Sequence, residues 1–121
     1  MSYLVDAHSW ISYLEGNEQG EKVNSILNQE EEIYVLPITV AEVVSRVKRK
    51  NGNAETAYNA IITKAKIINL TPKIAKEAGL LHATERKKKP SFGIVDALII
   101  TTARSIQAKV LTGDGHFKSF K

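Results

Sequence analysis

Asp6, Asp96 and Asp114 are the three aspartates of the chain, and each lies at the edge of, or inside, a strongly apolar segment. Asp6 ends Tyr3-Leu4-Val5, Asp96 interrupts Ile94-Val95 and Ala97-Leu98-Ile99-Ile100, and Asp114 follows Val110-Leu111-Thr112-Gly113. An ionised carboxylate in such surroundings is costly unless something positive meets it. If the fold gathers these three with Glu42, the site suits a hard divalent cation: Mg²⁺ or Mn²⁺ takes oxygen ligands and is typically held by one or two carboxylates plus waters and substrate phosphate. Such an ion activates water, neutralises charge growing on a phosphodiester and orients the attacking and leaving oxygens. On that reading Asp6 and Asp96 are the principal ligands and Asp114 completes the site directly or through water. Glu42 positions or deprotonates the attacking water, and the products carry a 5′-phosphate and a 3′-hydroxyl.

Each acid also has an ordinary explanation. Asp6 could cap the helix that follows it. Glu42 could pair with Arg46 four residues on, as on any solvated helix face. Asp96 in a first turn suits the helix dipole, although its apolar neighbours argue against a solvent-facing role. Asp114 sits in a glycine-flanked turn, where aspartate is common for local reasons. The coincidence of all four is what points to a site.

The elements that must position them alternate between strand-length apolar runs and helical patterns. Leu4–Asp6 is predicted as a first strand, Ser9–Glu15 as a helix closed by Gly16-Asn17, and Glu21–Gln29 as a second helix with Val23, Ile26 and Leu27 on one side. Ile33–Leu36 reads as the second strand, stopped by Pro37. A helix over Thr39–Lys50 carries Val40, Val43, Val44 and Val47 as a core-facing stripe and ends at Asn51-Gly52. Glu55–Lys66 is helical, Ile67–Leu70 is the third strand, and Thr71-Pro72 opens a helix to about Lys88. After Pro90, Ile94–Gln107 is apolar nearly all round, hence a buried helix, and Lys109–Thr112 is the fourth strand. Strands separated by helices imply parallel pairing with right-handed crossovers. The expected fold is therefore a three-layer α/β/α sandwich around a mostly parallel sheet of four or five strands. Ligands in such sheets bind beyond the carboxyl ends of the strands, where the strand order reverses, and Asp6 and Asp114 fall at such ends.

Composition limits what this site can belong to. A chain of 121 residues with 43% hydrophobic content fits a single domain over residues 1–121. There is no cysteine, so thiolate metal ligands, disulfides and a cysteine nucleophile are excluded. Neither a leader pattern at the start nor a run of roughly 18 apolar residues is present, so a cytoplasmic protein is expected. The net charge of +4 comes from 17 basic against 13 acidic residues. The cations cluster at Arg46, Lys48, Arg49 and Lys50 and again at Arg86, Lys87, Lys88 and Lys89. Solvated helix ends would account for each cluster; together they suggest a polyanionic partner, nucleic acid before membrane.

Four blocks carry a family resemblance: Leu4-Val5-Asp6-Ala7-His8-Ser9-Trp10-Ile11-Ser12-Tyr13-Leu14-Glu15-Gly16, Ile38-Thr39-Val40-Ala41-Glu42-Val43-Val44, Gly93-Ile94-Val95-Asp96-Ala97-Leu98-Ile99 and Leu111-Thr112-Gly113-Asp114-Gly115-His116-Phe117. In this order and spacing they resemble PIN-domain ribonucleases, in particular the VapC-type toxins of prokaryotic toxin–antitoxin pairs. The resemblance implies a metal-dependent endoribonuclease whose acidic quartet is Asp6, Glu42, Asp96 and Asp114, with Thr112 as a supporting hydroxyl. It further implies Mg²⁺ or Mn²⁺ as cofactor, an RNA substrate, a homodimer and a small antitoxin whose tail enters the acidic groove. This chain departs from the pattern in two places. Many relatives carry serine or asparagine two residues after the first aspartate, where this chain has His8 and then Ser9, leaving two candidates for that role. It also ends at Lys121, soon after Phe117, which leaves little room for the short final strand common in the family.

Three rival readings remain in view. His8 and His116 each lie two residues from a motif aspartate and could drive metal-free cleavage through the RNA's own 2′-hydroxyl, which would survive chelation and leave the carboxylates unexplained. A phosphoryl-accepting signalling domain wants an aspartate after the third strand, where this chain offers Asn69-Leu70-Thr71. An RNA-processing or RNA-binding protein outside any toxin–antitoxin pair would keep the fold under another role.

Overall fold

The computed structural model describes residues 1–29 and 31–112. The turn at Gly113-Asp114-Gly115, His116 and any final strand therefore lie outside the described residues. The chain runs β1 (Ser2–Val5), α1 (Ala7–Glu15), α2 (Glu18–Leu27), β2 (Glu32–Val35), α3 (Pro37–Arg49), α4 (Ala54–Lys64), β3 (Lys66–Ile67), α5 (Pro72–Glu85), α6 (Ile94–Ser105) and β4 (Lys109–Leu111). The strands lie in the order β3-β2-β1-β4, and every pairing is parallel.

The local chemistry explains most boundaries. Asp6 is extended and accepts the Ser9 N–H, so α1 starts two residues before the expected Ser9. Gly16 closes α1 in the left-handed region at φ 69°, a conformation cheap only for glycine. Asn17 then caps α2 by accepting the Gly20 N–H, which moves that helix three residues ahead of the expected Glu21. Pro37 opens α3 at its first positions instead of merely stopping β2, because its missing N–H has no helical partner there anyway. Thr71 and Pro72 cap and open α5 as the sequence indicated. The third strand differs most. It is two exposed residues, Lys66–Ile67, instead of Ile67–Leu70, since an edge strand pairs on one side only and its apolar residues need not be covered.

The register shows why the sheet is buried on both faces. Leu4 pairs with Tyr34 and Val110, and all three belong to the core covered by Ala78 of α5, by Ala97, Ile99, Ile100 and Ala103 of α6 and by Phe92 between these helices. One residue along each strand, Tyr3 with Ile33 and Val5 with Leu111 turn to the opposite core, built with Trp10, Val23, Val43 and Ile61 from α1 to α4. Two helical layers therefore sandwich one parallel sheet, as expected. Each fully buried Leu or Val contributes about 2 kcal/mol relative to exposure. Of the expected valine stripe, Val43 is fully buried and Val40 and Val47 pack against the same core. The helix expected to be buried all round is not: Ile94 is 48% exposed and the helix buries mainly its middle, from Ala97 to Ala103. No described helix is long and apolar enough to cross a membrane.

Candidate functional site

Because β2 and β3 lie on one side of β1 and β4 on the other, the chain reverses its direction of travel across the sheet between β1 and β4. Asp6 and Thr112 are the residues that immediately follow these two strands. In open parallel sheets this is where strand ends diverge and leave room for a ligand.

Asp6 is 4% exposed and tied down from several directions. Its N–H donates to the Leu111 carbonyl at 3.2 Å, continuing the β1–β4 pairing by one residue. One carboxylate oxygen accepts the Ser9 N–H at 2.8 Å, and the other accepts the Thr112 hydroxyl. The buried Ser9 hydroxyl donates in turn to the Leu111 carbonyl at 3.0 Å, across 102 residues of sequence. Of the two candidates after the first aspartate, Ser9 is thus the residue built into the strand ends, while His8 is exposed. Burial raises the Asp6 pKa above its ordinary value; the hydrogen bonds from Thr112 and Ser9 and the nearby His8 oppose that rise without cancelling it. Capping and site placement are the same geometry here, since a cap in the first turn after a strand end necessarily lies at the sheet's rim.

Glu42 projects from α3, on the side away from Val43, and remains largely accessible. Its pKa is nevertheless raised, first by partial desolvation and then by the negative charges of Asp6 and Asp96. Glu42 is therefore within electrostatic reach of both Asp6 and Asp96. The Glu42–Arg46 ion pair, the ordinary alternative for Glu42, does not form: among the described residues, the ion pair present joins the Met1 amino group to Glu31. Asp96 is half-buried in the first turn of α6, where one carboxylate oxygen accepts the Gly93 N–H at 2.8 Å. This is the return half of a capping box, which uses one of the two carboxylate oxygens. Asp114 lies outside the described residues. His82, read from the sequence as a packing or surface residue, stacks on Phe92 with ring centroids 6.2 Å apart.

Among the described residues, no group of three His, Cys, Asp or Glu side chains is close enough to hold a metal ion by itself. The donor chemistry still fits a hard cation. Among the described residues the rim offers carboxylate oxygens from Asp6, Glu42 and Asp96 and a hydroxyl from Thr112, and Asp6 is buried there without a salt-bridge partner. A Mg²⁺-type ion needs one or two carboxylates, the rest of its shell coming from water and substrate. Sequence reasoning missed Thr39, fully buried one turn before Glu42 with a hydroxyl that has no partner among the described residues. A lone threonine in an apolar helix start gives no signal for that.

The comparisons agree with this architecture. The profile of the PIN domain matches residues 3–121. No curated protein is a significant match to the sequence. Among solved structures, the chain is similar to the sarcin–ricin-loop-cleaving toxin VapC20 of Mycobacterium tuberculosis, at 15% identity and a TM-score of 0.80 over 97% of this chain and 93% of that one. It is similar to a chain of Rickettsia felis VapBC2, solved bound to a DNA fragment from its promoter, at 21% identity and TM-score 0.73, covering 99% and 93%. A toxin–antitoxin complex from Klebsiella pneumoniae aligns at 23% identity and TM-score 0.72, covering 98% and 89%. With an acidic rim at the strand-order reversal, this sheet topology and a family match over nearly its whole length, the chain belongs to the PIN domain family.

Proposed function

We propose that the protein is a divalent-metal-dependent endoribonuclease, with RNA as substrate and with Asp6, Glu42, Asp96 and Asp114 as its acidic set. The observation that carries this reading is the buried Asp6 at the β1–β4 divergence, with the negative Glu42 and Asp96 near enough to make a rim that a cation would stabilise. Asp6 and Asp96 would hold Mg²⁺ or Mn²⁺, with Asp114 and Glu42 contributing directly or through water. When bound, such an ion supplies Lewis acidity to the phosphodiester and to the attacking water. Thr112 and Ser9 hold the Asp6 carboxylate in one orientation, so no reorganisation is needed when substrate arrives. Glu42 orients the attacking water and takes its proton. The water oxygen bonds to phosphorus, the bond to the 3′-oxygen breaks, and that oxygen takes up a proton from solvent, giving 5′-phosphate and 3′-hydroxyl ends.

The same reading extends to biology. VapC20, VapBC2 and the Klebsiella complex are described as toxins or toxin–antitoxin assemblies, which supports a toxin role here and a small antitoxin as inhibitor. The test is purified protein on RNA with product-end sequencing. Cleavage that requires Mg²⁺ or Mn²⁺, stops with EDTA and falls at least 100-fold in Asp6→Asn is expected. Cleavage that survives chelation, or that leaves 2′,3′-cyclic phosphate ends, would transfer the chemistry to the histidines.

A further inference from the structure

Three residues of α3, Glu42, Arg46 and Arg49, lie at i, i+4 and i+7 and therefore form one stripe along the helix. They face His8, Ile11, Ser12 and Glu15, the corresponding stripe of α1, across a cleft of about 370 Å³. The carboxylate end of this cleft is the acidic rim. From Glu42, the helical rise puts Arg46 about 6 Å and Arg49 about 10 Å further along the cleft. Arg46 and Glu15 also line a neighbouring cleft of about 380 Å³ that runs on towards α4, so one groove leads away from the rim.

The Arg46 guanidinium is not explained by the fold. It makes no ion pair with Glu42 or with Glu15 among the described residues, although both line the same cleft. Its Nε–H is hidden from solvent and has no hydrogen-bond partner among the described residues. A buried charged donor without an acceptor is unfavourable, and an anion in the cleft removes the deficit. Arg49 is exposed and held by its Nε–H donating to the Ser45 hydroxyl at 3.3 Å, which leaves its terminal nitrogens free to turn into the cleft.

We propose that Arg46 and Arg49 each bind a backbone phosphate of the RNA flanking the scissile bond, so that the strand leaves the acidic rim along the α1–α3 cleft. The inference rests on the ribonuclease reading and adds the path of the substrate to it. Two guanidiniums supply planar donor pairs matched to phosphate oxygens, so the contact is to the backbone and positions the strand. Arg46 and Arg49 are then substrate-positioning residues, not members of the acidic set.

The experiment uses the full chain carrying Asp6→Asn, which keeps RNA intact, and measures binding of a fluorescein-labelled single-stranded RNA by anisotropy over a salt series. Adding Arg46→Gln and Arg49→Gln is expected to weaken binding about tenfold and to make the slope of log K against log[salt] shallower by about 1.4, two phosphate-neutralising charges at roughly 0.7 each. Arg46→Lys with Arg49→Lys should keep most of the slope. Lys48→Gln, a cation of the same helix that does not line the cleft, is the control. Unchanged affinity and slope in the glutamine variants, or a loss no larger than in Lys48→Gln, overturns the proposal. Should the double variant not fold, the exposed Arg49→Gln alone carries the test, with about half the change in slope. In the otherwise native protein the same substitutions should raise KM on a long RNA with kcat retained, and leave a dinucleotide holding only the scissile phosphate unaffected. Native protein that cuts RNA while the variants bind like their parent refutes the subsite only; native protein that binds RNA through these arginines but never cuts it refutes the nuclease reading only.

Discussion

At the scale of single residues, Asp6 has two opposed effects. Its carboxylate caps α1, which stabilises the helix by about 1 kcal/mol, while its burial disfavours the charged form. Asp6→Asn keeps a cap oxygen and removes the charge, so in EDTA at neutral pH this variant is expected to melt no lower than the wild type, whereas Asp6→Ala loses the cap and should melt lower. Differential scanning calorimetry of the three proteins checks the ordering. The pH dependence has a definite sign. A carboxyl whose folded pKa is raised binds more protons in the native state than in the unfolded one, so stability falls as pH rises through that pKa. Metal-free protein should therefore gain stability on acidification from neutrality towards the ordinary value of 3.8, first from Asp6 and, to a smaller screened extent, from the more accessible Glu42. Glu32 shifts the other way, held low by Tyr34 and Ser2, but it is exposed and contributes little. Urea midpoints in EDTA at several pH values, compared between wild type and Asp6→Asn, isolate the Asp6 part, and identical profiles would refute the assignment.

At the scale of elements, the site is held by the junction of β1, α1 and β4, and its weak point is the contact that lets α2 fold back on α1. Gly20 approaches so closely that a Cβ there would fall onto the Ser12 carbonyl, a backbone group that cannot move aside. Gly20→Ala is expected to destabilise the protein by about 2 kcal/mol or more and to displace α2, seen as a lower urea midpoint. Thr112→Val removes the hydroxyl from Asp6 with little change in volume; it should lower cleavage about tenfold while changing the melting temperature much less than Gly20→Ala does. An equal loss of activity and stability in Thr112→Val would mean that the hydroxyl only supports the fold.

At the scale of the whole molecule, the proposed ion site would couple folding to ion binding, because a cation relieves the like-charge rim of the native state. Mg²⁺ or Mn²⁺ should raise the melting temperature, by the equivalent of about 2.7 kcal/mol at a hundredfold excess over Kd, and Asp6→Asn should lose most of that gain. Monovalent salt at equal ionic strength is the control. The sequence by itself determined the alternation of strands and helices and the parallel sheet, because strand and helix periods and cap residues such as Thr71-Pro72 are local. The Gly-closed end of α1 belongs with them. The tertiary structure decided what depended on distant partners. Ser9 rather than His8 serves Asp6 because α1 starts at Ala7 and turns Ser9 onto Leu111 of β4, more than 100 residues away in the chain. Arg46 faces α1 rather than Glu42, which its i+4 spacing had suggested, because the cleft between α1 and α3 exists only once both helices pack on the same face of the sheet. Side-chain pairing on one helix can be written in sequence, but which neighbour lies opposite is fixed only when the layers close.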